Sequence, residues 1–150
     1  MKKTTRELEG ILSNGHKDQI NEYFENEASE LLNKTFNDYF RDVLLTKKIT
    51  QQALFLRADI SEKYGYKLIS GEKHTNQRDV IIRLCYAGEF SFEETQRALK
   101  LYGMTPLYAR IKRDALLIAA FNSRKGNILD LNQYLKDNGE KPLKNCGTIL

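Results

Sequence analysis

From Phe36 to Leu135 the chain repeats one pattern: apolar residues at three- and four-residue spacing, each run closed by a cap or a stop. That spacing places apolar side chains on one face of a helix, and no period-two alternation or hairpin turn competes with it. Phe36, Tyr39, Phe40, Val43 and Leu44 mark a core-facing helix that ends at Lys47-Lys48. Thr50 is placed to cap a helix through Ala58, Asp59-Ile60-Ser61 breaks it, and Ser61 caps a helix over 62–69 that stops at Gly71. A helix over 76–87 buries Val80, Ile81, Leu84 and Cys85 and closes at Gly88. Ser91 and Glu94 form a capping box for a helix ending near Gly103, with Phe92, Ala98, Leu99 and Tyr102 inward.

After Pro106 the pattern predicts a long helix over 107–121 with Ile111, Ala115, Ile118 and Phe121 inward. A loop over 122–127 precedes a last helix marked by Ile128, Leu131 and Leu135, and Asn138-Gly139 ends it. Beyond that point the chain is expected to fray. Upstream, Leu8, Ile11 and Leu12 form a short stripe stopped by Ser13-Asn14-Gly15. A second stripe over 18–32 contains Ile20, Tyr23, Phe24, Ala28 and Leu31. The fold class expected is all-α, with about eight helices. They divide into an N-terminal helical arm (1–35), a central domain (36–104), and C-terminal helices with a tail (105–150).

Composition narrows the function. No run approaches the ~20 apolar residues of a membrane span. Met1-Lys2-Lys3 leads into polar residues rather than a signal-peptide core, so no membrane partner is expected and the expected location is cytoplasmic. Cys85 and Cys146 are the only cysteines and read as two free thiols. His16 and His74 stand apart without ligand companions and read as surface histidines. No metal or cofactor is expected. No Gly-rich phosphate loop, His-Glu-x-x-His, nucleophile elbow or Cys-x-x-Cys is present, so the chain does not read as an enzyme. Net charge is +4, which permits a polyanionic partner without demanding one. The arm carries five basic and seven acidic residues, residues 36–79 eight and six, and residues 80–150 eleven and seven, so an anion is not expected to meet the arm.

The stretch Ile49–Gly71 carries the functional signal. Two short helices are separated by a tight turn, and the capped second helix bears Lys63, Tyr66 and Lys67. A helix with polar residues at its N-terminal end can enter the major groove, while the helix before it presents its own N-terminus to phosphate. This stretch resembles the lambda-repressor-like (XRE) helix-turn-helix family of bacterial and phage regulators. The family pattern reads roughly Leu-Thr-Gln-Glu-Glu-Leu-Ala, four residues, Val-Ser, six residues, Ile-Glu, one residue, Gly. Ile49, Thr50, Gln51, Gln52 and Leu54 match its opening, Ile60 and Ser61 its turn and cap, and Leu68 and Gly71 its end.

The resemblance covers roughly Phe36 to Met104. It implies a five-helix DNA-binding domain, here with extra helices at both ends, acting as a transcriptional regulator, most simply a repressor, on double-stranded DNA. It implies that Gln51 touches phosphate, that Glu62, Lys63, Tyr66 and Lys67 face the groove, and that Ser70 makes a further phosphate contact. Thr50 and Ser61, at the two helix starts, complete the DNA-facing set. Asn76-Gln77-Arg78 is open to two readings, a phosphate contact at a helix start or a simple helix beginning.

Three positions depart from the pattern. Phe55 replaces a small alanine, Gly65 replaces a buried branched residue, and Ile69 replaces a frequent glutamate. Gly65 is expected to make room for Phe55. Glu62 stands at the tip of the reading helix, which has no arginine. These features, with the modest local charge, favour the alternative of a protein-interaction module on the same scaffold without DNA binding. The flanking stripes over 18–32 and 107–135 either form a homodimer interface or complete the intramolecular core. No small-molecule ligand is evident.

Overall fold

The computed structural model describes residues 34–124 and 126–145; both expected helices of the arm, His16 and Cys146 lie outside them. Seven helices follow one another: α1 Phe36–Lys47, α2 Gln51–Ala58, α3 Glu62–Ser70, α4 Arg78–Ala87, α5 Phe92–Leu101, α6 Lys112–Ser123 and α7 Ile128–Asp137. No strand occurs among the described residues, so this part of the chain is all-α.

The expected caps form. The Thr50 hydroxyl accepts from Ala53 N at 3.1 Å and the Ser61 hydroxyl from Tyr64 N at 3.3 Å. Ser91 and Glu94 complete a reciprocal capping box at 3.1 and 2.8 Å. Asn127 and Asp130 make a second box, at 3.0 and 2.9 Å, inside the span read from sequence as a plain loop and helix start. Asp59 ends α2 in the left-handed region at φ 56°, and Gly71 ends α3 at φ 85°. Asp59 is tolerated there because a short polar side chain enters this region more readily than a branched one.

Around α4 the remaining helices assemble. Every residue from Val80 to Ala87 is buried, not only the expected stripe of Val80, Ile81, Leu84 and Cys85. The reason is tertiary: α2, α5 and α7 all pack on α4. α1 lies against α3 and α5, and α6 bridges α5 and α7. One apolar core thus runs from Phe36 through Leu54, Ile81 and Leu99 to Leu117, Leu131 and Leu143. By the 25 cal/mol/Å² rule, each such fully buried large side chain contributes roughly 1.5–3 kcal/mol.

Two expectations are corrected. The helix read over 107–121 begins only at Lys112, and Ile111 is 52% exposed rather than inward. Ala115 and Ile118 are half-buried, while Asp114 and Leu117 take the fully inward positions beside Phe121. Residues 107–111 are held as a turn instead. The Gln96 amide donates to Leu107 O at 2.9 Å and accepts from Leu107 N at 2.8 Å. The buried Asp114 carboxylate accepts from Tyr108 N at 2.9 Å. These side chains satisfy the backbone groups that a helix would otherwise have paired.

The second correction concerns the end of the chain, which does not fray up to Asn145. Leu143 is 2% exposed, and its amide donates to Asn132 Oδ1 at 2.8 Å. Arg83 donates to Leu143 O at 2.8 Å and to Lys144 O at 3.0 Å. Arg113 donates to Lys141 O at 3.1 Å and to Pro142 O at 3.2 Å. A segment with little apolar content is therefore ordered by arginine–carbonyl bonds, which periodicity does not reveal.

Phe55 and Gly65 do touch. The phenylalanine is wholly buried, and a Cβ built on Gly65 would lie 2.7 Å from its Cγ. Gly65→Ala is expected to lose about 1–3 kcal/mol through overpacking, outweighing the ~1 kcal/mol gain in helix propensity. In a Phe55→Leu background the same change should become neutral or stabilising in urea denaturation. Equal losses in both backgrounds would disprove the coupling.

Candidate nucleic-acid interface

α3 divides its residues cleanly. Gly65, Leu68 and Ile69 face the core, while Glu62, Lys63, Tyr66 and Ser70 are exposed and Lys67 is half-buried. Residues 62, 63, 66, 67 and 70 share one side of a helix with 3.6 residues per turn. The structure thus gathers the five predicted α3 residues on a single outward face. Among the described residues, no ion pair joins Lys63 or Lys67 to a carboxylate. The Tyr66 ring stands edge-on to Phe55, with centroids 5.0 Å apart and planes at 83°. Packing fixes one side of that ring and leaves the residue 44% exposed.

The threonine and serine hydroxyls of the set have structural partners. Those of Thr50 and Ser61 cap α2 and α3. The Ser70 hydroxyl donates to Lys67 O at 3.2 Å and accepts from Glu72 N at 3.3 Å, which shapes the exit from α3. Gln51 is half-buried at the first position of α2.

Sequence reading missed Asn37. Its side-chain amide, on α1, donates to Leu68 O at 3.3 Å and also to Ile69 O. Helix ends leave carbonyls without intrahelical partners, and Asn37 supplies donors to two of them. It therefore fixes the C-terminal end of α3 against α1. An asparagine between aromatic residues in the α1 stripe was the available signal, but its target is 31 residues away.

At the start of α4 an open cleft of about 870 Å³ is lined by Arg78, Asp79, Arg113, Lys141, Lys144 and Asn145, among others. Its two arginines are engaged within the fold. Arg78 makes a two-pronged pair with Asp114 at 2.6 and 3.1 Å, and Arg113 pairs with Asp79 at 2.9 Å on both prongs. Of the Asn76-Gln77-Arg78 trio, Arg78 is thus tied to α6, while Asn76 and Gln77 are exposed. His74 stacks on Tyr102 with centroids 4.3 Å apart. Cys85 is free and buried, and burial pushes its thiol well above the ordinary value. No group of three or more His, Cys, Asp or Glu residues suited to a metal occurs among the described residues. No helix there is long and apolar enough to cross a membrane.

Burial by itself would raise the Asp79 carboxyl. Hydrogen bonds from Arg113 and from Lys144 N, with the charges of Arg113 and Arg78, outweigh it and hold Asp79 below its ordinary 3.8. A folded-state value below the unfolded one means stability that is present above pH ~4 and is lost as acid protonates the folded carboxylate. Stability should therefore fall on acidification below about pH 4. Asp79→Asn should flatten part of that fall in urea titrations at stepped pH. An unchanged slope would remove Asp79 from the account.

The chain matches no family model, no curated protein and no solved structure.

Proposed function

We propose that the protein is a DNA-binding transcriptional regulator of the lambda-repressor-like helix-turn-helix kind, with α3 entering the major groove. The observation that carries this reading is α3 itself. It is a capped helix set on a three-residue turn, its inner face locked into the core and its outer face offering Glu62, Lys63, Tyr66 and Lys67. A helix so mounted has the rigidity and exposure that reading base edges requires. The order and lengths of α1–α5 support the same family reading. Lys63 and Lys67 supply charge for phosphate or guanine, Tyr66 an amphipathic ring, and Glu62 an acceptor for cytosine N4. On this reading a dimer meets two half-sites about one DNA turn, ~34 Å, apart.

One observation favours a second reading, a protein-interaction module on this scaffold. Glu62 is exposed in the first turn of α3, where it sets a negative charge against an approaching phosphate.

Selection of bound duplexes from a random DNA pool separates the two. The regulator reading expects enrichment of a defined sequence, with affinity falling steeply as salt rises. Lys63→Ala and Lys67→Ala should each reduce the salt slope by about one and abolish enrichment while leaving helical circular dichroism intact. No enrichment, or a flat salt response, would favour the interaction module.

A further inference from the structure

The turn between α2 and α3 is held from outside by the last described residues of the chain. Ala58 O, at the end of α2, accepts from Arg83 Nη1 at 2.9 Å. The next carbonyl, Asp59 O, accepts from the side-chain amide of Asn145 at 2.7 Å, and that amide also reaches Asp59 Oδ2 at 3.3 Å. Arg83 binds the tail as well, through Leu143 O and Lys144 O, so one guanidinium connects turn and tail. Leu143 anchors the tail in the core at 2% exposure.

We propose that Asn145, carried on the tail that Arg83 anchors, is a positioning residue for α3: it fixes the α2–α3 turn and hence the angle at which α3 is presented. Nothing in the helix-turn-helix stretch itself supplies this contact, since donor and acceptor lie 86 residues apart. The physical case is direct. A left-handed residue such as Asp59 is a pivot between two helices, and small changes in its dihedrals swing everything that follows. Its own amide is held by Leu56 O and Phe55 O. Ile60 N donates to Phe55 O at 3.0 Å. The amide side of the pivot is thus fixed by α2, and its carbonyl side by Asn145. With both sides held, the dihedrals have little freedom.

The inference rests on α3 being the DNA-reading element, but its mechanical half can be measured without DNA. Asn145→Ala removes one half-exposed amide and should leave the melting temperature essentially unchanged. Hydrogen exchange at the amides of Asp59 and Ile60 should accelerate roughly three- to tenfold, the equivalent of one ordinary hydrogen bond, with α5 amides unaffected. Arg83→Lys, which keeps the charge but loses the fork, should accelerate the same amides.

With the duplex selected for the wild-type protein, Asn145→Ala should weaken specific binding by a similar factor. Binding to a random duplex should stay constant, because charge alone sets it. Loss of both in equal measure would make Asn145 a direct phosphate contact and overturn the positioning role. Unchanged exchange at Asp59 and Ile60 would overturn it as well. Accelerated exchange in a protein that selects no DNA would support the hold on the turn and refute the DNA reading alone.

Discussion

Arg83 places a guanidinium in the interior of the helical assembly, where only 5% of the residue reaches solvent. Burying a charge is costly unless its donors are satisfied, and here three backbone carbonyls receive them. Those carbonyls belong to the end of α2 and to the tail, while Arg83 itself sits in the middle of α4. One side chain therefore ties together segments that are 25 and 60 residues away from it. Replacing it by an apolar residue would leave three acceptors without their donor, two of them in buried bonds.

The same solution recurs at other helix ends. Asn37 serves the last carbonyls of α3, Arg124 donates to Tyr86 O near the end of α4, and Lys112 donates to Asn138 O at the end of α7. The C-terminal end of a helix leaves carbonyls without intrahelical partners and carries a partial negative charge, so a cation or amide from elsewhere is favoured there. Arg124 adds stacking over Tyr86 at 5.0 Å and Phe121 at 5.6 Å. Arg78, Arg83, Arg113 and Arg124 are thus engaged within the fold, while Lys63, Lys73, Lys100 and Lys136 stay exposed.

This bears directly on α3. Lys63 is exposed and Lys67 half-buried on the outer face, while its inner face and both ends are held by Phe55, Ser61, Asn37 and the turn that Asn145 touches. The Phe55–Gly65 contact shows how two residues accommodate each other. A large ring on α2 needs the missing Cβ on α3, and the glycine is tolerated in a helix because that ring fills its space. The exposed face of α3 is a consequence of packing on the other side.

Much was legible in the sequence because it is local. Thr50, Ser61 and the Ser91–Glu94 box cap helices within three residues of themselves; caps and stops identified α2 and α3, and apolar spacing α1, α5 and α7. The outward set Glu62, Lys63, Tyr66 and Lys67 was expected from the resemblance of the stretch to a helix-turn-helix, and the helical period places it on one side of α3. Where non-local contacts decided, the reading failed. α4 is buried on all sides because other helices surround it, and α6 starts late because Gln96 and Asp114 take the backbone of 107–108. The tail is ordered by arginines 28 to 61 residues away in the chain. Helical period and capping act over a few residues and can be read from the letters alone. A polar side chain that reaches a distant carbonyl leaves no periodic trace, so only the tertiary structure could decide where Asn37, Arg83 and Asn145 would act.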